Sequence, residues 1–381
     1  MDFTFSEEQQ AAAEAARTVF AGVDPRAVPS PTLCPGPVAD DFDRELWRKL
    51  ASADLLGLVV APEHGGSGLD TVALCLVLRE AGRVLARVPV LESCAAALAV
   101  QRFGNGAQRA SLLPEVVAGR LTITVASAGR TGHDGAPLSV TARRERREGD
   151  GTWVLDGVQT AVPWGRCADL VLVPAGDGLF LLAPDGEGVT ARRQVSTSGE
   201  EYAEFHLDGA RVPAERALTA SGAWQWLHRL LATGTCALAL GLGERVLRMT
   251  AEYTGKREQF GHPLATFQAV AVQAANRYID LRAMEATLWQ AAWRLETATP
   301  QEQHGGALPV DADVAVAKIW ASEGVRNVVQ TAQHLHGGFG ADTDYALHRY
   351  HAWAKQLELS LGPAAAHEEA LGDLLAAHSL G

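Results

Sequence analysis

The sequence is poor in cysteine, in aromatic residues and in positive charge. Its 381 residues include five cysteines and 6% aromatic residues, and 33 Lys and Arg stand against 45 Asp and Glu, for a formal net charge of −12. Without a basic block, a nucleic-acid surface or an anionic membrane surface is excluded. The cysteines are odd in number, scattered and without a Cys-x-x-Cys pair, which excludes a disulfide framework and indicates reduced thiols in the cytosol.

Targeting and membrane signals are also missing. No charged segment followed by an apolar one opens the chain, so we expect no secretory signal. The longest uncharged apolar stretch, Leu230–Gly243, is shorter than the roughly 20 residues that a spanning helix needs. We therefore predict a soluble cytoplasmic protein with no metal site and no membrane or nucleic-acid partner.

Hydrophobic periodicity divides the chain into three regions and predicts the α+β class. Residues 1–120 are helical in pattern, apart from a proline-rich connection over residues 25–37. Residues 121–218 carry short β-type runs, predicted at 121–125, 153–155, 170–173, 179–182 and 204–207. The glycine-rich connections between them suit a small antiparallel barrel or sandwich. The charged run Arg143–Glu148 is interpreted as a solvated turn.

Residues 219–381 return to long helices. Apolar residues step by three or four from Leu227 to Tyr253, which predicts one continuous helix. A second helix is expected to begin near Thr266, and a third to cover residues 314–335. The predicted domains are therefore helical (1–120), β (121–218) and helical (219–381).

One segment carries a specific resemblance. The run Arg257-Glu-Gln-Phe-Gly-His-Pro-Leu264, followed by Phe267-Gln268, resembles a motif of the acyl-CoA dehydrogenase family. The glycine-rich loop at residues 62–68 and the Gly-Gly-Phe-Gly turn at residues 337–340 fall in the same register. The resemblance implies a helical domain, a central antiparallel β-barrel domain and a C-terminal four-helix bundle.

The family resemblance also implies chemistry. Family enzymes bind FAD between two subunits and oxidise the Cα–Cβ bond of an acyl-CoA thioester. A glutamate removes the α-proton, because that C–H is too weak an acid to ionise unaided, while hydride passes to the flavin. Cofactor-binding roles are implied for Arg257, Gln259, Phe260, Gln268, His334, Gly337 and Gly338. The alternatives are a capped loop with an incidental arginine and, for the glycines, a helix C-cap.

The catalytic glutamate is missing from this sequence. The family places it at one of two positions, and the resemblance puts these at Leu361 and at Leu231, which lies 26 residues before Arg257 (257 − 26 = 231). Leucine cannot accept a proton. The weak remaining candidate is Glu358, three residues before Leu361, about 4.5 Å away along a helix axis.

Two flavin-facing segments of the β region depart from the family as well. The family's Thr-Glu-Pro and Gly-Ser-Asp elements are absent from residues 126–134. An aromatic-Ile-Thr strand corresponds to Ala161-Val162-Pro163, in which Ala161 supplies no ring and Pro163 no N–H. Trp164 is the candidate to replace the missing ring.

These losses, beside the intact Arg257 motif, predict a non-catalytic subunit that completes the FAD site of a homologous catalytic partner. The stretch Asp342-x-Asp-Tyr-x-Leu-His-Arg-Tyr350 is similar to a sequence stretch found in the heteromeric α2β2 acyl-CoA dehydrogenases that shorten steroid side chains. The expected ligands and partners are FAD, an acyl-CoA and an electron-transfer acceptor. Two other interpretations stay open: an active homo-oligomer that uses Glu358, and a flavin-free acyl-CoA-binding relative.

Overall fold

The computed structural model describes residues 4–129, 139–145, 151–297 and 308–378. The N-terminal helices are α1 (Glu7–Phe20), α2 (Arg44–Ser52), α3 (Thr71–Arg83), α4 (Val90–Phe103) and α5 (Gly106–Val117). The strands that follow are β1 (Ile123–Val125), β2 (Val140–Glu145), β3 (Thr152–Pro163), β4 (Leu170–Ala175), β5 (Gly178–Leu182), β6 (Val189–Val195), β7 (Glu201–Val212) and β8 (Ala217–Thr219). After them come α6 (Ala223–Lys256), β9 (Glu258–Gln259), β10 (His262–Pro263), α7 (Gln268–Thr297), α8 (Val310–His336), α9 (Leu347–Leu359) and α10 (Ala364–Ala377). This order confirms the predicted succession of helical, β and helical domains.

Local signals explain where the first helices begin. Ser6 accepts a hydrogen bond from the backbone N–H of Gln9, whose side chain returns one to Ser6, so α1 opens with a capping box. Asn105 caps α5 in the same way. The proline-rich connection holds only two short 3-10 turns, Pro25–Ala27 and Pro31–Leu33, in agreement with the expectation that no helix crosses it.

The β region consists of two four-stranded sheets, with strand orders β1-β4-β5-β8 and β2-β3-β7-β6. Their pairing is antiparallel except between β1 and β4. The five predicted strands are all present. The solvated turn predicted at Arg143–Glu148 is wrong for residues 143–145, because they belong to β2 and pair with β3. Residues 146–148 lie outside the described residues. Both sheets contribute to one apolar core: Ala126, Val140, Leu155, Val162, Val171, Val173, Ala175, Phe180, Leu182, Ala203, Phe205, Leu207, Ala210 and Val212.

By compactness the chain separates into two units. The first comprises residues 1–34, 74–86 and 232–381, and the second comprises residues 35–73 and 87–231. The predicted domain boundaries at residues 120 and 218 stay a prediction.

In the first unit, α3 and α6 cross with their backbones in contact. A Cβ on Gly82 would lie 2.2 Å from the carbonyl oxygen of Leu238, and one on Gly241 would lie 1.8 Å from that of Arg79. No side chain larger than hydrogen fits at either glycine. Among the described helices, α6 is long and apolar enough to cross a membrane, but 78% of its most apolar window is buried inside the protein, as in a core helix.

The other long helices of this unit differ in how much of their surface is buried. Helix α8 is buried along most of its length, with α7, α9 and α10 packed against it. The first half of α7 has no buried residue before Leu281, and it exposes Val272, Tyr278 and Ile279. An apolar surface of this kind on a globular protein commonly marks an interaction site.

A lysine is fully buried where α8 meets the end of α9. Lys318 is 0% exposed, and its Nζ donates to the Ser322 hydroxyl at 2.9 Å and to the carbonyls of Leu357 and Glu358 at 3.2 and 3.1 Å. The ammonium thus satisfies the last carbonyls of α9 and faces the negative end of its dipole. Burial nevertheless disfavours the charged form and lowers the pKa of Lys318 to about 8.

We expect the free energy of unfolding of the wild type, relative to that of Lys318→Met, to rise between pH 8 and pH 10. The folded chain releases the Lys318 proton near pH 8, whereas the unfolded chain keeps it to a pKa of about 10.4. The gain is up to about 1.4 kcal/mol per pH unit. Urea unfolding of both proteins at several pH values measures it, with Lys355→Met as the control for a half-exposed lysine. A pH-independent difference would contradict the lowered pKa.

Candidate functional site

The Arg257 motif forms a hairpin at the end of α6. Strand β9 pairs with β10, and Gln259 lies opposite His262. The two connecting residues, Phe260 and Gly261, have φ values of +55° and +80°, as a tight two-residue hairpin turn requires. Phe260 is 91% exposed, and its ring lies edge-to-face with that of Phe267 at a centroid distance of 6.4 Å. The chain therefore presents this ring outward instead of packing it.

Arg257 has a fixed backbone and an exposed side chain. Its N–H donates to the Tyr253 carbonyl, and its carbonyl accepts from the N–H of Leu264, each at 2.8 Å. Among the described residues, the structure pairs its guanidinium with no carboxylate. Gln268, the first residue of α7, is exposed like Gln259. An exposed guanidinium fork beside amide donors suits a pyrophosphate or another bidentate anion.

A glycine turn follows the end of α8. Gly337 has a φ of +59°, and its N–H donates to the carbonyls of Gln333 and His334. Gly337 is therefore a helix C-cap, as one of the two interpretations of the glycines predicts. Gly338 has no positive φ, and in the described part of the structure a Cβ on either glycine would meet nothing within 4 Å. Neither conformation nor packing inside the chain requires Gly338, whereas close approach of an outside group would.

An aromatic stack brings the hairpin and the glycine turn to one end of the first unit. The ring of Tyr253, four residues before Arg257, stacks on His336 with centroids 4.3 Å apart and on Phe339 at 5.5 Å. Tyr345 covers the Phe339 ring at 4.5 Å. The exposed His334 lies in the last turn of α8. We name Tyr253, His336, Phe339 and Tyr345 the end stack.

The two positions expected for a catalytic glutamate are apolar and unable to ionise. Leu361 follows α9 in a turn, with a φ of +59°, and its carbonyl accepts from Nε2 of His367 at 2.9 Å. Leu231 lies in α6 and is 4% exposed. Glu358 is buried near the end of α9, and its carboxylate lies 2.6 Å from Nζ of Lys355 and 3.9 Å from Nη1 of Arg326. Its carboxylate is committed to these two cations.

In the second unit, a bulge in β3 carries the segment expected to flank a flavin. Ala161 has a φ of +50° where the β3–β7 register shifts, and its N–H donates to Oε1 of Gln194 at 2.9 Å. Gln194 is itself oriented by Thr160, to which its amide donates at 2.9 Å. The backbone N–H of Ala161 is thus bound within the chain, and Pro163 has no backbone N–H.

Trp164 does not replace the missing ring on this face. Its side chain is buried, with its ring edge-to-face with Phe42 at a centroid distance of 6.1 Å. Of the preceding loop, Ala128 forms an isolated bridge with Thr160. The remainder of the loop over which the family's Gly-Ser-Asp element was sought, residues 130–134, lies outside the described residues.

Sequence reasoning missed the end stack and Gln194. Tyr253 continues the apolar stripe of α6, so the spacing signalled a core position and not a ring shared with α8. Gln194 belongs to β6, whose charged residues hid the strand, and nothing local pairs it with Ala161. Both contacts join segments that are distant in the chain.

Two family models match this sequence. Residues 6–120 match the N-terminal domain of acyl-CoA dehydrogenases, and residues 229–375 match the C-terminal domain. The acyl-CoA dehydrogenase FadE27 of Mycobacterium tuberculosis is 36% identical over 99% of both chains. The chain belongs to the acyl-CoA dehydrogenase family.

Solved structures of family members agree in fold. A chain of the ChsE4–ChsE5 complex from Mycobacterium tuberculosis is 35% identical, with a TM-score of 0.86 over 99% of both chains. A chain of a Tcur3481–Tcur3483 steroid ACAD variant is 38% identical, with a TM-score of 0.84 over 97% of this chain and 98% of that one. The predicted family, one of flavoprotein oxidoreductases, and its α–β–α fold are thus confirmed.

Proposed function

We propose that this chain is the non-catalytic subunit of a cytoplasmic, FAD-dependent acyl-CoA dehydrogenase. It completes the FAD site of a homologous catalytic subunit, which removes the α-proton of the acyl-CoA. When bound there, FAD accepts the hydride and passes its electrons on to an electron-transfer acceptor. In this proposal Arg257, Gln259, Phe260, Gln268, His334, Gly337 and Gly338 face the partner's FAD.

One observation carries the proposal: neither position expected for the catalytic glutamate holds an acidic residue, yet the Arg257 motif, which would contact a neighbour's cofactor, is present. Leu361 and Leu231 cannot take up a proton at any pH. Within the described part of the chain, Arg257 offers a guanidinium paired with no carboxylate in an exposed hairpin, and no side chain crowds Gly337 and Gly338. This set of donors and open backbone fits a dinucleotide pyrophosphate.

The second unit gives the proposal independent support. The Ala161 N–H is taken by Gln194 and Pro163 lacks one, so this face has no free backbone donor at the two positions for a flavin ring. Trp164 is turned into the interior. Of the described residues on this face, Ala161, Pro163 and Trp164 do not fit a flavin, whereas those at the Arg257 end fit its pyrophosphate.

The relatives support the partner and substrate class. Both solved relatives named above are complexes of two different chains, and one is described as a steroid ACAD. We infer an α2β2 assembly with a homologous subunit and a steroid side-chain CoA as substrate. The motif at residues 342–350 agrees with this assignment.

We expect Glu358→Gln to leave the dehydrogenation rate of the assembled enzyme within about twofold. Loss of a true general base costs roughly 10² to 10⁴-fold, and the carboxylate of Glu358 is already bound by Lys355. The complex is purified through a tag on this chain from its own organism, and the rate is followed by reduction of an electron-accepting dye.

The matched control is Glu369→Gln, which makes the same change on the exposed face of α10. A large loss from Glu358→Gln alone, with flavin content unchanged, would identify Glu358 as the base and favour the active homo-oligomer. A chain that never co-purifies with flavin would instead favour the acyl-CoA-binding relative.

A further inference from the structure

Three residues of the motif that resembles the steroid subgroup, His348, Arg349 and Tyr350, contact the chain's own interior, whereas Asp342 and Asp344 are exposed. Nε2 of His348 lies 2.8 Å from the Ser30 hydroxyl, and Nη1 of Arg349 donates to the Pro29 carbonyl at 2.9 Å. The Tyr350 hydroxyl donates to the Arg83 carbonyl at 2.8 Å. Arg349 is 7% exposed. These side chains are engaged inside the first unit, so they are not offered to a substrate.

Both ring nitrogens of His348 form hydrogen bonds. Its Nδ1 lies 2.8 Å from the Tyr345 carbonyl, and since a carbonyl only accepts, Nδ1 carries the proton. In the neutral ring Nε2 is then an acceptor, and the Ser30 hydroxyl donates to it. The proline-rich connection is in this way tied to the backbone of Tyr345.

The side chain of Tyr345 continues the same chain of contacts. Nδ1 of His336 donates to the Ala332 carbonyl at 2.8 Å, so its Nε2 accepts from the Tyr345 hydroxyl at 3.1 Å. Burial lowers the pKa of His336, which keeps the ring neutral as this arrangement requires. The Tyr345 ring in turn covers Phe339, the residue after Gly338.

The glycine turn needs such support. Gly337 and Gly338 have no side chains, and none of the described residues packs within 4 Å of where a Cβ would be. The turn is anchored by the Gly337 N–H, which donates to the Gln333 and His334 carbonyls, and by the Gln333 amide, which donates to the Gly337 carbonyl at 2.9 Å. The Phe339 ring, which contacts the rings of Tyr253 and Tyr345, adds a third anchor. A glycine pair left unsupported would lose much backbone entropy on ordering against a ligand.

We propose that Ser30, His348 and Tyr345 are positioning residues that pre-order the Gly337–Gly338 turn for the pyrophosphate of the partner's dinucleotide. This inference rests on the proposed function, which places that turn against the partner's FAD. The motif at residues 342–350 then acts as a hydrogen-bonded relay from the proline-rich connection to the end stack. The role of Ser30, His348 and Tyr345 is cofactor affinity, not substrate contact.

The test compares three hydroxyl or imidazole deletions in the complex purified through a tag on this chain. Tyr345→Phe and His348→Leu break the relay, and Ser30→Ala breaks it at the end farthest along the chain from the glycines. The control is Tyr350→Phe, which removes the same atom from the same motif but breaks a bond to the Arg83 carbonyl instead. FAD is stripped, and its rebinding is titrated by fluorescence while gel filtration measures assembly.

We expect the Kd for FAD to rise by roughly 3- to 10-fold in each relay variant, the size of effect that one lost hydrogen bond gives. Tyr350→Phe should leave the Kd unchanged, and all four variants should assemble. Unchanged Kd values in the relay variants would overturn the inference. An equal rise in the Kd of Tyr350→Phe would also overturn it. The same holds if the relay variants lose assembly in parallel with flavin, since both results are expected of a motif that only stabilises the fold.

Arg257→Ala in the same titration separates the two proposals. If it weakens FAD binding while the relay variants do not, the relay is wrong and the proposed function stands. If Arg257→Ala also leaves the Kd unchanged, the first unit contacts no FAD, and both proposals fail.

Discussion

Purified alone, the chain is expected to be colourless. Its β face offers no free N–H at Ala161 or Pro163, and its Arg257 end faces outward. Under the proposed function, the isolated chain therefore holds only one half of the FAD pocket. Two missing hydrogen bonds, at about 1–3 kcal/mol each, weaken FAD binding by roughly 30- to 20,000-fold. Visible flavin absorbance after gel filtration measures the result, with the assembled complex as the flavin-loaded control.

One result would contradict this prediction. Stoichiometric flavin on the isolated chain would remove the main argument for a subunit that serves a neighbour's site. A flavin-loaded homo-oligomer that oxidises acyl-CoA would return the chain to the catalytic class.

In the assembled complex, Arg257→Ala is expected to empty the flavin site without unfolding the chain. An interfacial guanidinium paired with a pyrophosphate contributes several charge-assisted hydrogen bonds, and its truncation costs about 2–5 kcal/mol. That loss corresponds to a rise in Kd of roughly 30- to 4,000-fold. Flavin content and the thermal midpoint of the same samples are measured together.

Two further variants sharpen this prediction. Arg257→Lys keeps the charge but loses the planar fork, so its flavin content should fall between those of the wild type and Arg257→Ala. Arg248→Ala removes another exposed arginine from α6 and controls for the change in net charge. Unchanged flavin occupancy in Arg257→Ala would make that residue an incidental surface group.

The fold was largely accessible from the sequence because its signals are local. The apolar stripe from Leu227 to Tyr253 predicts α6, and the prolines between residues 25 and 37 exclude a helix there. Strands β2 and β6 were missed because their outward residues are charged, which hides the alternation that marks a strand.

The candidate site was accessible only in part, for a related physical reason. A tight turn at Phe260-Gly261 is a local property of the motif, and the family resemblance supplied the roles of Arg257 and Gln268. The stack of Tyr253 on His336 joins two helices far apart in the chain, and so does the bond from His348 to Ser30. Contacts like these depend on tertiary packing, which no periodicity encodes.

The outward Phe260 ring and the exposed face of α7 bear on the abundance of this chain in the cell. On the isolated chain, Val272, Tyr278 and Ile279 are exposed together with that ring. Exposed apolar surface of this kind is recognised by chaperones and proteases and promotes aggregation. We therefore expect the cellular abundance of this chain to follow that of its partner, so that deleting the partner's gene depletes both proteins even while this one is still translated.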